Sequence, residues 1–451
     1  MRAIGALSAT AIVAGAMLGV GIFLTPHLVA QSVTSPTLFL LLWGLGGLIA
    51  IAGAVTYGEL GAMMPDAGGE YVYLGRAFGS AMSFAAGTVL FIGVFGGSIA
   101  SMSAAISQYQ LSLLAGSVGI DLSSEWVVLP ALGVRITGVE FVAVGLVLLL
   151  TLLNALGVRL STVVQTLLTL VPVAILTLFA VGALATAPHE TAIPATGSAG
   201  GFSSVGTALL SIYFAYAGWN AVAYVGGEVA DPGRNIPRAL LLGTGIVTTL
   251  YLLLCAAWIS VLGMGGIAAS FETGTAAASV LLGAGAKEFV AVIIAFALVG
   301  SVNATVLGGA RIGYAMGRDG AFMRGLGALS KGTQVPARAL WLQAGFAIFL
   351  IATGTFEELV QLTSVAMFLL GSLTVCALFV LRRREPDAPR PYRASLYPFL
   401  PCLYLVIALS VVGLEVWRYF FGAEEISGFP LLGIAVFFAV WAFRVLLRGR
   451  G

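Results

Sequence analysis

Charge is what this sequence has least of. Asp, Glu, Lys and Arg make up 9% of its 451 residues, where a soluble globular chain carries roughly 25%. With a mean hydropathy of +1.05, a water-soluble fold is excluded. The 21 basic residues barely exceed the 19 acidic ones, so there is no basic surplus to hold nucleic acid. Histidine is scarcer still, with only His27 and His189, and the three cysteines, Cys255, Cys376 and Cys402, stand apart inside apolar runs. No His, Cys and acidic cluster has metal-ligand spacing, and no nucleophile elbow or phosphate loop is present. The expectation is therefore no metal, no cofactor and no enzyme. Acidic residues are also missing from the middle of every apolar run, so nothing there stands ready to neutralise a fixed positive charge.

What the chain has in abundance is apolar sequence in continuous stretches, without the every-second-residue alternation of a β-barrel. That pattern predicts an all-α integral membrane protein. Hydropathy divides it into twelve spans at about 6–30, 36–63, 80–113, 137–157, 160–185, 203–228, 238–264, 286–316, 338–354, 356–382, 398–420 and 428–447. The N-terminal run exceeds signal-peptide length and is read as the first span. The stretches 115–136, 186–202 and 265–285, richer in Gly, Ser, Thr and Pro, are read as loops. If the N-terminus is cytoplasmic, every Lys and Arg except Arg135, Lys287 and Arg418 falls on the inner side. The positive-inside rule then predicts cytoplasmic N- and C-termini and an even number of spans, in the cell (plasma or inner) membrane. The run RRREPDAPRPYR at 382–393 reads as a solvated inner loop. Glu59, Glu70 and Glu228 fall on the same side as Arg76, Arg234 and Arg311, either as a latch of ion pairs or as solvated charges.

The first span carries GAMLGVGIF at residues 15–23. Gly15 and Gly19 match a helix-packing GxxxG. Alternatively, Gly19-Val20-Gly21 is an unwound joint, which a bilayer tolerates only where it is buried in protein or lines a cavity. Such a joint leaves bare amides, suited to a carboxylate, and bare carbonyls, suited to an ammonium group. A second interruption discriminates between the two, because transporters built from inverted repeats break matching helices in each half. SIYFAYAGWNAVAYVGGE at 211–228 puts aromatics and small residues around Gly218, five spans later.

GAMLGVGIF resembles the first-helix signature of the amino acid/polyamine/organocation (APC) superfamily, whose usual form is G-S-M-I-G-S-G-I-F. FAYAGWNAVAYVGGEVADPGRNIPRA at 214–239 is similar to its sixth helix and following loop, close to the L-type amino acid transporter branch. YGELGAMMPDAGGEYVYLGRAFG at 57–79, GSVNATVLGGARIGYAMGRDG at 300–320 and LRRREPDAPRPYRASLYPFLP at 381–401 match in order. The resemblance implies a LeuT-type five-plus-five inverted repeat of 12 transmembrane helices with helices 1 and 6 discontinuous. It implies a ten-helix core over 1–382, with repeats at about 6–185 and 203–382, and two further helices in 383–451. It also implies a secondary active or exchange transporter of L-amino acids, expected to be neutral for want of intramembrane charge. Cationic amino acids or polyamines are the alternative within the superfamily, and a channel or receptor is the alternative outside it.

Carried over residue by residue, the resemblance puts the substrate carboxylate on amides between Met17 and Gly21, chiefly Gly19, Val20 and Gly21. The ammonium falls to carbonyls of Ile12 to Ala16 and of Phe214, Ala215 and Ala217, with Phe214 as an aromatic gate. Ala16, Gly218 and Asn303 join the candidate site, as do Tyr216 and Trp219, whose polar tips need partners when buried. Interhelical packing is the competing role for Asn220, Ser301, Asn303 and Thr305. The chain departs from the pattern where many relatives carry a fifth-helix lysine after V-Q-x-x-x-T: here the position is Pro172. A lysine-based coupling is thereby disfavoured. L-type relatives in animals join a single-span glycoprotein through an outer-loop cysteine, and none of the three cysteines here is so placed, so no disulfide-linked partner is expected.

Overall fold

The computed structural model describes residues 2–129, 134–186, 202–283, 285–353, 356–421 and 429–448. Its helices are, in order, α1 Ala6–Met17, α2 Gly21–Leu24, α3 Pro26–Ser32, α4 Pro36–Met63, α5 Glu70–Phe78, α6 Ser80–Ser117, α7 Gly138–Ala155, α8 Val158–Thr186 and α9 Phe202–Tyr216. They continue with α10 Ala221–Tyr224, α11 Pro232–Ala269, α12 Thr273–Leu282, α13 Ala286–Arg318, α14 Ala337–Thr353, α15 Phe356–Arg384, α16 Phe399–Phe421 and α17 Phe429–Arg448. Among the described residues, 8 stretches are long and apolar enough to cross a bilayer, and several shorter apolar helices accompany them. The chain is a multi-pass helical membrane protein.

Local chemistry explains several boundaries. Pro36 opens α4, with its missing N–H costing nothing there, and Ser35 accepts a bond from the Leu38 amide. Thr137 and Glu140 form a capping box at the start of α7. Two stretches read as loops carry structure. Glu125–Leu129 (β1) pairs antiparallel with Val134–Thr137 (β2), and α12 occupies part of 265–285. Neither feature has the hydropathy of a span. Helix α6 contains two π-helical stretches, Val89–Phe95 and Ile106–Leu111; such bulges shift the side-chain register and concentrate at functional sites.

The arginine-rich face is more tightly knit than a solvated loop. Glu59, at the end of α4, is fully buried. Its carboxylate accepts from the Arg382 guanidinium (Nε to Oε1 3.0 Å) and from the Ala394 amide at 2.7 Å, with Arg390 Nε also 3.0 Å away. Arg390 in turn donates to the carbonyls of Leu381, Glu385, Pro386 and Ala388, closing the free end of α15. The segment 382–393 is thus a folded cap bound to α4, because a carboxylate in a dry site must be met by cations and amides. Nearby, Arg311 of α13 is buried and makes a two-pronged pair with Glu228 (3.0 and 3.2 Å). Ile4 pairs with the strand-like segment at Val229, through Ile4 N to Glu228 O and Ala230 N to Ile4 O, both 2.9 Å. The starts and ends of the two interrupted helices are therefore tied together on this face.

Removing one member of a buried ion cluster leaves its partners uncompensated, at about 3–5 kcal/mol. Glu59→Ala is expected to lower the unfolding free energy of the detergent-solubilised protein by that order. Arg76→Ala, which breaks the exposed pair with Glu385, should cost under about 1 kcal/mol. Denaturant unfolding measures both, and equal losses would contradict the assignment.

Candidate binding site

The first interruption lies at Leu18–Val20. The Leu18 amide still closes onto Ala14 O, but Gly19 N turns back onto Met17 O at 2.7 Å, and a new turn begins with Phe23 N and Leu24 N on Val20 O. The amides of Val20, Gly21 and Ile22 consequently meet no backbone carbonyl among the described residues, as at any helix N-terminus. The second interruption follows Tyr216. Gly218 takes φ +96°, a conformation that a glycine reaches without penalty, and Ala221 N closes onto Gly218 O to start α10.

The two joints rest on one another. A Cβ on Gly21 would lie 2.3 Å from Ala215 Cα, and one on Gly218 would lie 2.7 Å from the carbonyl of Ala16. Each joint thus presses a glycine against an alanine of the other helix. Two side chains complete the clamp. The Tyr251 hydroxyl of α11 donates to Met17 O and lies 3.1 Å from Ala215 O, so one phenol bridges both interrupted helices. Ser301 of α13 donates to Ala16 O at 2.9 Å.

Between the joints lies the cavity that holds most of the expected residues. Ala16, Met17, Gly19, Val20, Gly21, Phe214, Ala215, Ala217, Gly218 and Trp219 line it. Ser301 and the π-helical Leu90, Val94 and Phe95 complete part of the wall. Two expected residues lie elsewhere. Tyr216 is buried with its hydroxyl on Trp43 O at 3.0 Å, which turns the ring toward α4 and away from the cavity. Asn303 belongs to a buried chain of polar groups: it accepts from Asn154 at 2.8 Å and donates to Gln165 at 2.8 Å. Gln165 donates to Thr169, and Thr169 to Ala11 O, both at 3.1 Å. These groups satisfy each other behind α1. Gly15 faces the same network, where a Cβ would fall 2.2 Å from Gln165 Nε2, so its role is close packing. Of the carbonyls expected to meet an ammonium group, those of Ala16 and Ala215 already accept hydroxyls, whereas that of Ala217 accepts no backbone amide among the described residues.

Tyr251 and Glu70 were not among the expected site residues. Tyr251 interrupts the apolar run VTTLYLLLC, where a lone phenol at bilayer depth is the available signal. Glu70 heads α5, outside the spans, yet its buried carboxylate lines the cavity and is the one charged group among the lining residues. Oε1 accepts from the Tyr57 hydroxyl and from Asn220 Nδ2 at 3.0 Å. Burial pushes its pKa up to about 7, against the opposing pull of these hydrogen bonds.

Comparison with known proteins agrees in one direction. A family model described as amino acid permease matches residues 4–438. The chain is 28% identical over 455 residues to the b(0,+)-type amino acid transporter 1 of Mus musculus, covering 98% of this chain and 90% of that protein. It is 28% identical over 422 residues to the serine/threonine exchanger SteT of Bacillus subtilis, covering 91% and 90%. The large neutral amino acids transporter small subunit 2 of Homo sapiens is 26% identical over 423 residues, covering 92% and 76%.

The joints yield an ordering of substitutions. Gly21→Ala forces a methyl into the Ala215 backbone, whereas the same change at Gly19 meets the movable Ser301 hydroxyl at 3.1 Å. Overpacking costs about 1–3 kcal/mol, so the thermal unfolding midpoint of Gly21→Ala should fall clearly below that of Gly19→Ala. The reverse order in a detergent melt would contradict the contact between the joints.

Proposed function

The chain belongs to the amino acid permease family, a family of transporters and not of enzymes, and from that premise we propose that it moves neutral L-amino acids across the cytoplasmic membrane by alternating access, as a secondary active or exchange transporter. The reading takes the twelve-span, five-plus-five arrangement, with 1–382 as the moving core, 383–451 as two appended helices, and both termini cytoplasmic.

One observation carries it. Val20, Gly21 and Ala217 line one cavity between two helices that both stop there, and among the described residues the Val20 and Gly21 amides and the Ala217 carbonyl have no backbone partner. A zwitterion is the small molecule whose two charges suit these two ends, since amides at a helix N-terminus favour a carboxylate and free carbonyls favour an ammonium group. Phe214, half-buried on the lining, is the gate that covers the occupant. Apolar lining from Leu90, Val94 and Met367 receives the side chain. With Pro172 at the family's lysine position, carboxylate binding rests on backbone groups.

A second reading, transport of cationic amino acids, draws support from Glu70 in the cavity wall. Counterflow decides between them. Proteoliposomes preloaded with an unlabelled amino acid mixture should take up labelled neutral amino acids saturably, and take up arginine and lysine weakly. Gly19→Leu should abolish uptake while the protein still elutes as a single folded species. Vesicles no better than empty ones for every neutral, cationic or anionic amino acid and polyamine would sink the proposal; an ion conductance in place of saturable exchange would favour a channel.

A further inference from the structure

On the arginine-rich side, the arginines that make ion pairs or hydrogen bonds near Glu70 make them with other groups, and none among the described residues pairs with Glu70. Arg76 of α5 pairs with Glu385, Arg311 of α13 with Glu228, Arg318 with Asp319, and Arg382 and Arg390 with Glu59. Arg384 donates to the carbonyl of Ala77. The titratable groups that face Glu70 are phenols: Tyr57 of α4, Tyr73 of α5, Tyr213 of α9, Tyr224 of α10 and Tyr404 of α16. Phenols are uncharged near neutral pH. Asp66, in the loop before α5, adds only negative charge to this neighbourhood.

Among the described residues, Glu70 is thus a buried carboxylate with no ion-pair partner. The bonds from Tyr57 and Asn220 fall on Oε1, the Tyr224 hydroxyl also stands against the carboxylate, and Oε2 is buried with no well-formed hydrogen bond among the described residues. Leaving an ionised oxygen dry and unpaired is costly. A proton relieves that cost within the space available, whereas an ammonium or guanidinium group needs room for several donors around it. The same carboxylate touches two different parts of the fold. Tyr57 belongs to the long helix α4, while Asn220 sits just past Gly218 in the second joint and also donates to the Tyr224 hydroxyl of α10 at 3.1 Å. A change of charge on Glu70 therefore acts directly on the interrupted helix.

We propose that Glu70 is a proton-binding site that couples amino acid movement to the proton gradient. A proton from water on the side opposite the arginine-rich face forms an O–H bond at Oε2. The neutral acid persists while the cavity is closed on both sides, and the bond breaks when water reaches it from the arginine-rich side. One proton accompanies one zwitterion, and no other reactant is consumed. The sign follows from the raised pKa of about 7: the proton is held below that pH and lost above it.

The proposal rests on amino acid transport as read above, and the experiment separates the two. Proteoliposomes containing a pH-sensitive dye are given labelled neutral amino acid under an imposed pH gradient, acidic on the side of entry. Wild-type protein should acidify the lumen as substrate enters, and one pH unit should drive up to about tenfold accumulation. In E70Q the gradient should drive no accumulation and the pH profile should be flat; in E70D the profile should persist with a displaced midpoint. If E70Q does not transport, wild-type binding measured by calorimetry in two buffers of different ionisation enthalpy decides, with net proton uptake expected at pH 7.5. Wild-type counterflow that ignores the pH gradient, or binding without proton uptake, overturns the proposal and leaves the transport reading intact. Loss in E70Q of arginine and lysine uptake alone also overturns it, in favour of side-chain recognition. Failure of counterflow for every amino acid removes the transport reading itself.

Discussion

A peptide group in a bilayer must find a partner, and this protein breaks that rule at two places that face each other. Each interruption is tolerated because the other covers it. Gly21 lies against Ala215 and Gly218 against Ala16, at separations that leave no room for a Cβ. The close approach lets Tyr251 reach carbonyls on both helices and lets Ser301 reach Ala16 O. Among the described residues, the Val20 and Gly21 amides of the first joint and the Ala217 carbonyl of the second meet no backbone partner, and all three residues line the cavity. On the proposed reading, binding chemistry is thus a by-product of backbone geometry, with no charged side chain needed at bilayer depth.

The surroundings divide into densely bonded and sparsely bonded parts. Behind α1, the chain Asn154, Asn303, Gln165 and Thr169 ties α7, α8 and α13 to one another and ends on Ala11 O of α1. On the arginine-rich face, Glu59 gathers two arginines and an amide, and the cap 382–393 closes over α4. The bonds that tie the interrupted helices to this face are spread singly: the Ile4–Val229 bridge, the Arg311–Glu228 pair, Gly68 N on Tyr224 O and Asn220 on Glu70. Opening toward this face costs those bonds while the larger cluster persists, which suits a core that rocks against a fixed frame. Glu70 stands at the boundary, touching α4 through Tyr57 and the second joint through Asn220.

How much of this was legible beforehand depended on how local the signal was. The membrane class, the helical architecture and both interruptions follow from residues near one another in the chain, because apolar length and glycine-rich strings are local properties. Most of the cavity residues named from the two strings lie on its wall for the same reason. Tyr216 and Asn303 did not, since which way a helical side chain turns depends on the partner it finds, Trp43 O in one case and Gln165 in the other. Glu70 was read as an inner-side latch or solvated charge because hydropathy assigns it to a loop, whereas the packing of α5 under the cavity buries it among phenols. The run 382–393 looked solvated for want of a visible partner; Glu59 lies more than 300 residues away in sequence. Structure within 115–136 and 265–285 was hidden by composition, as a short hairpin and a loop helix leave no span-length signature.

The central claim is that the two interrupted helices read the charges common to all amino acids. Competition against a labelled neutral amino acid tests it most directly, comparing the free compound with its methyl ester and its N-acetyl derivative. The ester removes the negative charge meant for Val20 and Gly21, and the acetyl group removes the positive charge meant for Ala217. Both should lose competition by at least about a hundredfold, which corresponds to roughly 2.8 kcal/mol. An ester or an N-acetyl derivative that competes as well as the parent amino acid would contradict the account.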